Sequence, residues 1–406
     1  MNPLSAAAWA AALFLAANLF PHSIALRLTM LALGLALVAF ELARAKLAGR
    51  PAGVQALPPL LFPILLWAAW AALSILWSVE PERSMKEFKN EVVYVFLGYW
   101  LCWVAAQAPG ARRAFGTVLG AGAVLTCAVG LYGYVVPAGH AWLMRLASGP
   151  GDQSSALLTL MPCAQIAIWL AREEHAPRAL QRALWALPLL FLAAAYATLN
   201  RTVWIGFAVE LVVMGVLLLP RPEFSPLLKL GRARLLAGLL AAAFVGGVVL
   251  VGIQVQEERV AMSPGAAVER DPRMEIWAVA IDTIKDHPVT GLGFGRGIDR
   301  RSLTEELGNR QYWHAHNLIL EAAVETGLLG AALLLLLICA AAYRGWRLAR
   351  SADAPAAAYG TALVVVVAGM FLRNMTDTLL VRQNALLFWG VGALLLGLGA
   401  AASRRG

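Results

Sequence analysis

Two histidines, three arginines and a carboxylate are the residues of this chain best suited to chemistry: His314 and His316, Arg145, Arg201 and Arg273, and Glu321. His316-Asn317 stands where a long apolar run begins, so the imidazole is expected in the first turn of a helix. There the helix dipole disfavours the imidazolium and leaves a neutral ring able to take a proton from a hydroxyl. His314 lies two residues earlier, outside that helix, with its ring free to point elsewhere. Positions 314 and 316 do not form a helical ligand pair and no third ligand stands at a convincing spacing, so no metal and no other cofactor is expected. Asn317, Glu321 and Glu325 follow at intervals of four and share one helix face. Carboxylates one and two turns into an apolar helix are costly alone, so they are expected to pair with arginines such as Arg201 or Arg373.

The arginines suit an anion. Arg273 follows Asp271-Pro272, an N-cap with proline at the first helical position. Free backbone N–H groups, the helix dipole and a forked guanidinium together make an anion site there, the alternative being a solvated helix start. Trp277 is one turn further on and shares its face. Arg201, after Asn200 at the tight turn between two apolar runs, reads either as an interfacial anchor or as a cation fixed at the membrane boundary. Arg145, near Trp142, has the same two readings, and Asp152-Gln153 reads as an N-cap or as a contact for sugar hydroxyls. The glycines of His287-Pro288-Val289-Thr290-Gly291-Leu292-Gly293-Phe294-Gly295 are no dinucleotide fingerprint, because no strand precedes them and no βαβ unit surrounds them. They are expected to form a flexible turn by which backbone approaches the site, with His287 closing a helix.

Membrane helices must position these groups. The chain is 60% apolar and 14% charged, with a mean hydropathy of +0.69, which describes an all-α polytopic membrane protein. Apolar runs place twelve candidate spans at approximately 4–20, 24–43, 58–77, 90–107, 114–136, 154–171, 182–198, 202–220, 234–254, 316–344, 355–376 and 380–401. Residues 1–254 thus hold nine transmembrane helices and 316–406 three more, with a polar loop or lid at 255–315 between them. Within the loop, Met274, Trp277, Ile281 and Ile284 recur at helical spacing and predict an amphipathic helix ending before Pro288. A second short helix is expected from Ile298 to Leu307, stopped by Gly308-Asn309. The mixed-charge segment Glu80–Val92 is expected to start as an interfacial helix. The first run lacks a basic leader and another follows at once, so it reads as a span and not as a cleaved signal.

Charge sets the expected orientation. With the N-terminus cytoplasmic, seventeen of the 33 Lys/Arg fall in inner segments and eight in short outer ones. Both termini are then cytoplasmic and the large loop faces outward. The loop carries eight cations against ten acids, so the net charge of +9 is topological. A nucleic-acid partner is excluded by the scatter of the basic residues. The four cysteines, Cys102, Cys127, Cys163 and Cys339, all lie inside expected spans and offer no disulfide framework.

The elements at 195–330 resemble those of the O-antigen ligase family, which sits in a wider group with O-antigen polymerases and bacterial protein O-oligosaccharyltransferases. They are Asn200-Arg201 opening a span, Arg273-x3-Trp277, His287-Pro288-x2-Gly291-x-Gly293 and His316-Asn317-x9-Gly327. The resemblance implies a glycosyltransferase C-like membrane fold and transfer of a glycan from undecaprenyl pyrophosphate to lipid A–core oligosaccharide, on the periplasmic side of the bacterial inner membrane. It makes His316 the general base and Arg201 and Arg273 the pyrophosphate cations, with Arg145 a third candidate and Asn317, Trp277, His314 and Glu321 in support. Some members carry a threonine shortly after the motif glycine, where this chain has Leu328-Leu329-Gly330, a departure that bears on subgroup.

The physical expectations agree. An activated donor needs no nucleotide, arginines can stabilise the departing pyrophosphate without metal, and a base opposite the leaving group implies one inverting displacement. The polyprenyl tail is expected to enter from lipid through a groove below the loop, and the oligomeric state is left open. A polymerase or a protein O-oligosaccharyltransferase using the same donor is the alternative. One large outer loop speaks against the first, and the chain's ending soon after its last span against the second. A lipid-linked glycan transporter would place charges at mid-membrane depth, whereas the polar residues gather at outer helix ends.

Overall fold

The computed structural model describes residues 2–135, 150–198, 200–218, 221, 272–308 and 313–404. Every regular element among them is helical, with no strand. In chain order they are α1 (Pro3–Ala17), α2 (Ile24–Leu47), α3 (Leu61–Ser74), α4 (Pro81–Phe88), α5 (Tyr94–Ala106), α6 (Ala111–Val135), α7 (Pro150–Glu173), α8 (Arg178–Ala197) and α9 (Arg201–Leu218). After them come α10 (Pro272–Asp286), α11 (Arg300–Leu307), α12 (Leu318–Ala349), α13 (Ala354–Asn374) and α14 (Arg382–Ser403). Seven of these helices, α2, α6, α7, α8, α12, α13 and α14, are long and apolar enough to cross a membrane, and α1, α3 and α9 are shorter apolar helices. The expected span 234–254, the loop residues 255–271 and Arg145 lie outside the described residues.

Local sequence explains the helix boundaries. Asn2 caps α1, its side chain accepting the Leu4 N–H at 3.1 Å, and Asp353 caps α13 through the Ala356 N–H at 2.9 Å, with proline in the first turn of each helix. The mixed-charge segment does begin as a helix, α4, and a π-helical turn at Lys89–Val93 joins it to α5. The helical run here therefore starts about nine residues before the expected span at 90–107. The loop helices fall where the periodicity predicts them: α10 stops at Asp286, and α11 ends on Gly308 in the left-handed conformation.

One apolar core runs through α1, α5, α6, α7, α12, α13 and α14, drawing on Phe14, Leu101, Leu158, Leu363, Met370 and Val391, each 2% exposed or less. At 32 residues, α12 is about 48 Å long, against roughly 30 Å of hydrocarbon core. It is broken inside its first third. Thr326 and Gly327 leave helical geometry, Gly327 at φ +71°, so the segment Leu318–Glu325 is set apart from the rest of the helix.

The residues His287–Gly295 are not a loose turn. They form a strap bonded to that break. Leu292 N–H donates to Val324 O and Gly293 N–H to Glu325 O, both at 2.8 Å, while Leu328 N–H returns a bond to Pro288 O at 2.8 Å. The indoles of α3 and its exit seal the joint, Trp70 Nε1 to Thr326 O at 2.8 Å and Trp77 Nε1 to Thr290 O at 2.9 Å. Carbonyls freed by the helix break thus find donors in the strap and in tryptophan, as buried backbone groups must. The φ of Gly327 is one that L side chains rarely adopt, and a Cβ there would stand 2.0 Å from Val289 O. The glycine of His-Asn-x9-Gly is therefore a place where two backbones touch.

Candidate active site

The site grows from the turn that enters α12. Asn317 is its N-cap, the side-chain oxygen accepting from Ile319 N–H at 3.0 Å and Leu320 N–H at 3.2 Å. Its amide donates to Met375 O at 3.1 Å and so ties the start of α12 to the end of α13. His316 therefore lies one residue outside the helix, not in its first turn, because the side chain of Asn317 satisfies the first N–H groups. His316 sits at φ +49°, an uncommon conformation for a residue with a Cβ, and its side chain is 27% exposed.

The turn from α13 to α14 supplies the partner. Asp377 Oδ1 lies 3.2 Å from His316 Nδ1, and its Oδ2 lies 3.3 Å from the buried guanidinium of Arg373 at the end of α13. Burial works to raise the Asp377 carboxyl, but the hydrogen bond from His316 and the charge of Arg373 outweigh it and hold the group well below the usual carboxylate range. An ionised carboxylate only accepts, so Nδ1 of His316 carries the hydrogen, and in the neutral ring Nε2 holds the lone pair. This is the arrangement of a general base oriented by a carboxylate.

His314 does not point elsewhere. Its ring centroid is 3.8 Å from that of His316, it is 3% exposed, and its Nδ1 accepts the His316 backbone N–H at 3.1 Å. Burial, with the charge of Arg296 nearby, pushes this imidazole down to about 3, so it is a neutral wall of the site. Trp313 meets the edge of His314 with centroids 4.5 Å apart, and the Arg296 guanidinium lies 4.3 Å over the Trp313 ring. A row therefore runs from Arg296 through Trp313 and His314 to His316, Asp377 and Arg373.

The fold also supplies the third ligand atom that no sequence spacing displays: His314, His316 and Asp377 offer donor atoms within 4.8 Å of one another. Zinc accepts that donor set. The electrostatics favour a hydrogen-bonded base instead, because Nδ1 of His314 already holds a backbone N–H and Arg373 places positive charge on the carboxylate.

Among the described residues, no arginine pairs with Glu321. It takes backbone instead, one oxygen accepting Ala315 N–H at 2.6 Å and the other Gly297 N–H at 3.2 Å. The expected arginine partner, Arg373, is held by Asp377 and by Ser154 Oγ at 3.3 Å. Trp277 reaches the same turn from α10, donating Nε1–H to Ala315 O at 2.9 Å. Arg273, one turn before it, is close enough to Arg373 for their charges to act on each other. The structure thus brings His314, His316, Asn317, Trp277 and Glu321 together. Arg201 opens α9 with its side chain outside the described atoms. Asp377 is the residue that sequence reasoning missed. The signal was there as Arg373-x3-Asp377, an opposite-charge pair one turn apart at a helix end.

Below the turn, a narrow cleft runs along α12 between Glu321 and Leu337. Its walls are mainly apolar, including Trp67, Val95, Phe294 and Trp389, with a cavity of about 80 Å³.

The segments that carry the site can be compared with known proteins. Residues 186–335 match the O-antigen ligase family model. The resemblance drawn from the motifs is shown over that stretch, which holds the strap, the His316 turn and the break in α12 but ends before Arg373 and Asp377. Two curated relatives, each named putative polysaccharide ligase, come from Rickettsia felis and Rickettsia bellii. They are 25% identical to this chain over 289 and 290 residues, which is 68% of this chain and 66% and 65% of the two relatives. The alignment spans just under two thirds of each relative's length.

Proposed function

We propose that this chain is a glycosyltransferase of the polysaccharide ligase type. It moves an O-antigen glycan from undecaprenyl pyrophosphate to lipid A–core oligosaccharide at the periplasmic face of the inner membrane. The observation that carries the reading is the His316–Asp377–Arg373 arrangement at the rim of an apolar helix bundle. The family match and the names of the Rickettsia relatives support the class of reaction. In this reading the bundle has about twelve spans with both termini cytoplasmic, so that the turn at 313–317 and the α13–α14 turn face outward.

The chemistry follows from the geometry. Nε2 of His316 takes the proton of an acceptor hydroxyl as its oxygen attacks the anomeric carbon, and the bond from that carbon to the pyrophosphate oxygen breaks with inversion. Asp377 stabilises the imidazolium that forms, and Arg373 keeps Asp377 ionised and in place. Positive charge on the departing side comes from Arg273 and, by family resemblance, from Arg201, with Arg145 a third candidate. Such fixed donors lower the barrier by about 3–4 kcal/mol each in comparable sites, and a placed base contributes about 10²–10⁴-fold. The cleft along α12 is lined mainly by apolar side chains, which suits the path of a polyprenyl tail arriving from lipid.

The test is a reconstituted assay with purified lipid-linked glycan, offering lipid A–core, a peptide acceptor or donor alone. Glycan on lipid A–core, lost in His316→Ala at normal membrane level, is the expected result. Chain extension on the donor or glycan on the peptide would replace this reading with a polymerase or a protein glycosyltransferase.

A further inference from the structure

The buried carboxylate of Glu321 is bonded to main chain on two sides. It stands one turn into α12, 3% exposed, and each of its oxygens accepts a main-chain N–H from a different segment. One belongs to Ala315, next to the base. The other belongs to Gly297, where the strap that bonds to the α12 break runs on toward α11. The two segments also touch directly. Gly297 has φ +67°, and a Cβ added there would lie 2.8 Å from Trp313 O. Helix α12, the strap and the base turn therefore meet at one carboxylate.

We propose that Glu321 is a positioning residue for the transfer reaction, a two-sided acceptor that locks the base turn to the strap and so holds His316 in its left-handed conformation against Asp377. The inference rests on the glycan-transfer reading above. Trp277 holds Ala315 by its carbonyl while Glu321 holds the same residue by its N–H. The peptide units on both sides of Ala315 are thus fixed, and the Cα of His316 has little freedom. Charged acceptors make the stronger hydrogen bonds to N–H groups, which gives a reason for an acid where an asparagine or serine could also accept.

The experiment uses the full chain in proteoliposomes with lipid-linked glycan and lipid A–core, measuring kcat and KM separately for each substrate. Glu321→Ala is expected to lower kcat about 10²-fold, the loss that a misplacement on the order of 1 Å brings, with both KM values within about threefold of wild type. Glu321→Gln keeps one acceptor and turns an N–H donor toward the other backbone N–H, so it is expected to recover part of the loss, to roughly tenfold below wild type. Gly297→Ala reaches the same joint from the other side and should show the same kcat-only signature. The double variant should be no worse than the poorer single one, because both changes open one joint. If Glu321→Ala does not accumulate folded, Glu321→Gln and Gly297→Ala decide the matter. Wild-type kcat in both of those, or losses confined to KM or to protein level, would overturn the proposal. A wild-type chain that transfers no glycan would instead remove the functional reading on which it stands.

Discussion

Replacing Asp377 with asparagine exchanges one oxygen for an amide nitrogen and removes the charge that faces His316. Shape is kept, so the effect isolates what the carboxylate does. The two side chains are 3.2 Å apart, with 27% and 22% of their surfaces exposed. A unit charge pair at that distance is worth about 3–5 kcal/mol at effective dielectric constants of roughly 20–40. That energy is gained only when His316 is protonated, which is the state reached as the acceptor hydroxyl is deprotonated. The asparagine amide also presents an N–H toward Nδ1, favouring the tautomer in which Nε2 carries the hydrogen and cannot act as a base. At about 1.4 kcal/mol per factor of ten, kcat should fall about 10²–10⁴-fold. Donor KM should stay near the wild-type value, because the carboxylate does not face the pyrophosphate. Single-turnover measurement of glycan transfer in proteoliposomes separates the chemical step from binding. A variant within threefold of wild type in that step would refute the assignment of Asp377 and, with it, the tautomer argument for His316.

Other consequences can be measured on the same preparations. Trp277→Phe removes the indole N–H that holds Ala315 O together with part of the ring, and should reduce kcat by about fivefold, in line with a hydrogen bond of about 1 kcal/mol; an unchanged rate would release α10 from any role in placing the base. Gly327→Ala should cost at least about 2–4 kcal/mol of stability, since φ +71° and a Cβ at 2.0 Å from Val289 O force the strap off the helix break. It is read as a lower midpoint in detergent thermal unfolding. Asp299 is 2% exposed, neither carboxylate oxygen has a hydrogen-bond partner among the described residues, and burial, then the charge of Glu321, raises it to about 8. Its folded value exceeds its unfolded one, so the folded state keeps a proton that the unfolded chain has released, and stability falls as pH rises from about 4 to 8. Asp299→Asn should therefore raise the unfolding midpoint more at pH 8 than at pH 5, and equal shifts at both would contradict the raised value.

What the sequence could disclose depended on how local each cause was. The loop helices α10 and α11 were legible because their apolar period and their stop signals, Pro288 and Gly308, lie within one short window. His316-Asn317 marked the start of α12 for the same reason, although the cap belongs to Asn317 and leaves the histidine outside. The backbone partners of Glu321 were not legible, because depth in an apolar helix implies a partner without saying which kind. Arginine is the usual answer for a buried acid, and here two backbone N–H groups meet the need. The glycines of the strap carried a backbone requirement whose other half, the broken turn at Thr326 and Gly327, lies more than thirty residues away.

Asp377 was invisible for a further reason. Its value lies in pairing with a residue 61 positions earlier, and that pairing exists only because α12 and α13 pack antiparallel and Asn317 bonds Met375 across their ends. The positions 316 and 377 are each unremarkable at a helix end, where charged residues are common. What singles them out is that one short span of chain, 373–377, both neutralises and aims the carboxylate: Arg373 from the last turn of α13 and Asp377 from the turn after it. An arginine buried at 2% exposure would be costly if Asp377 were protonated, and an ionised Asp377 would be costly without Arg373. His316 therefore draws its orientation from a pair whose members justify each other, and loss of either should be felt both at His316 and in the fold.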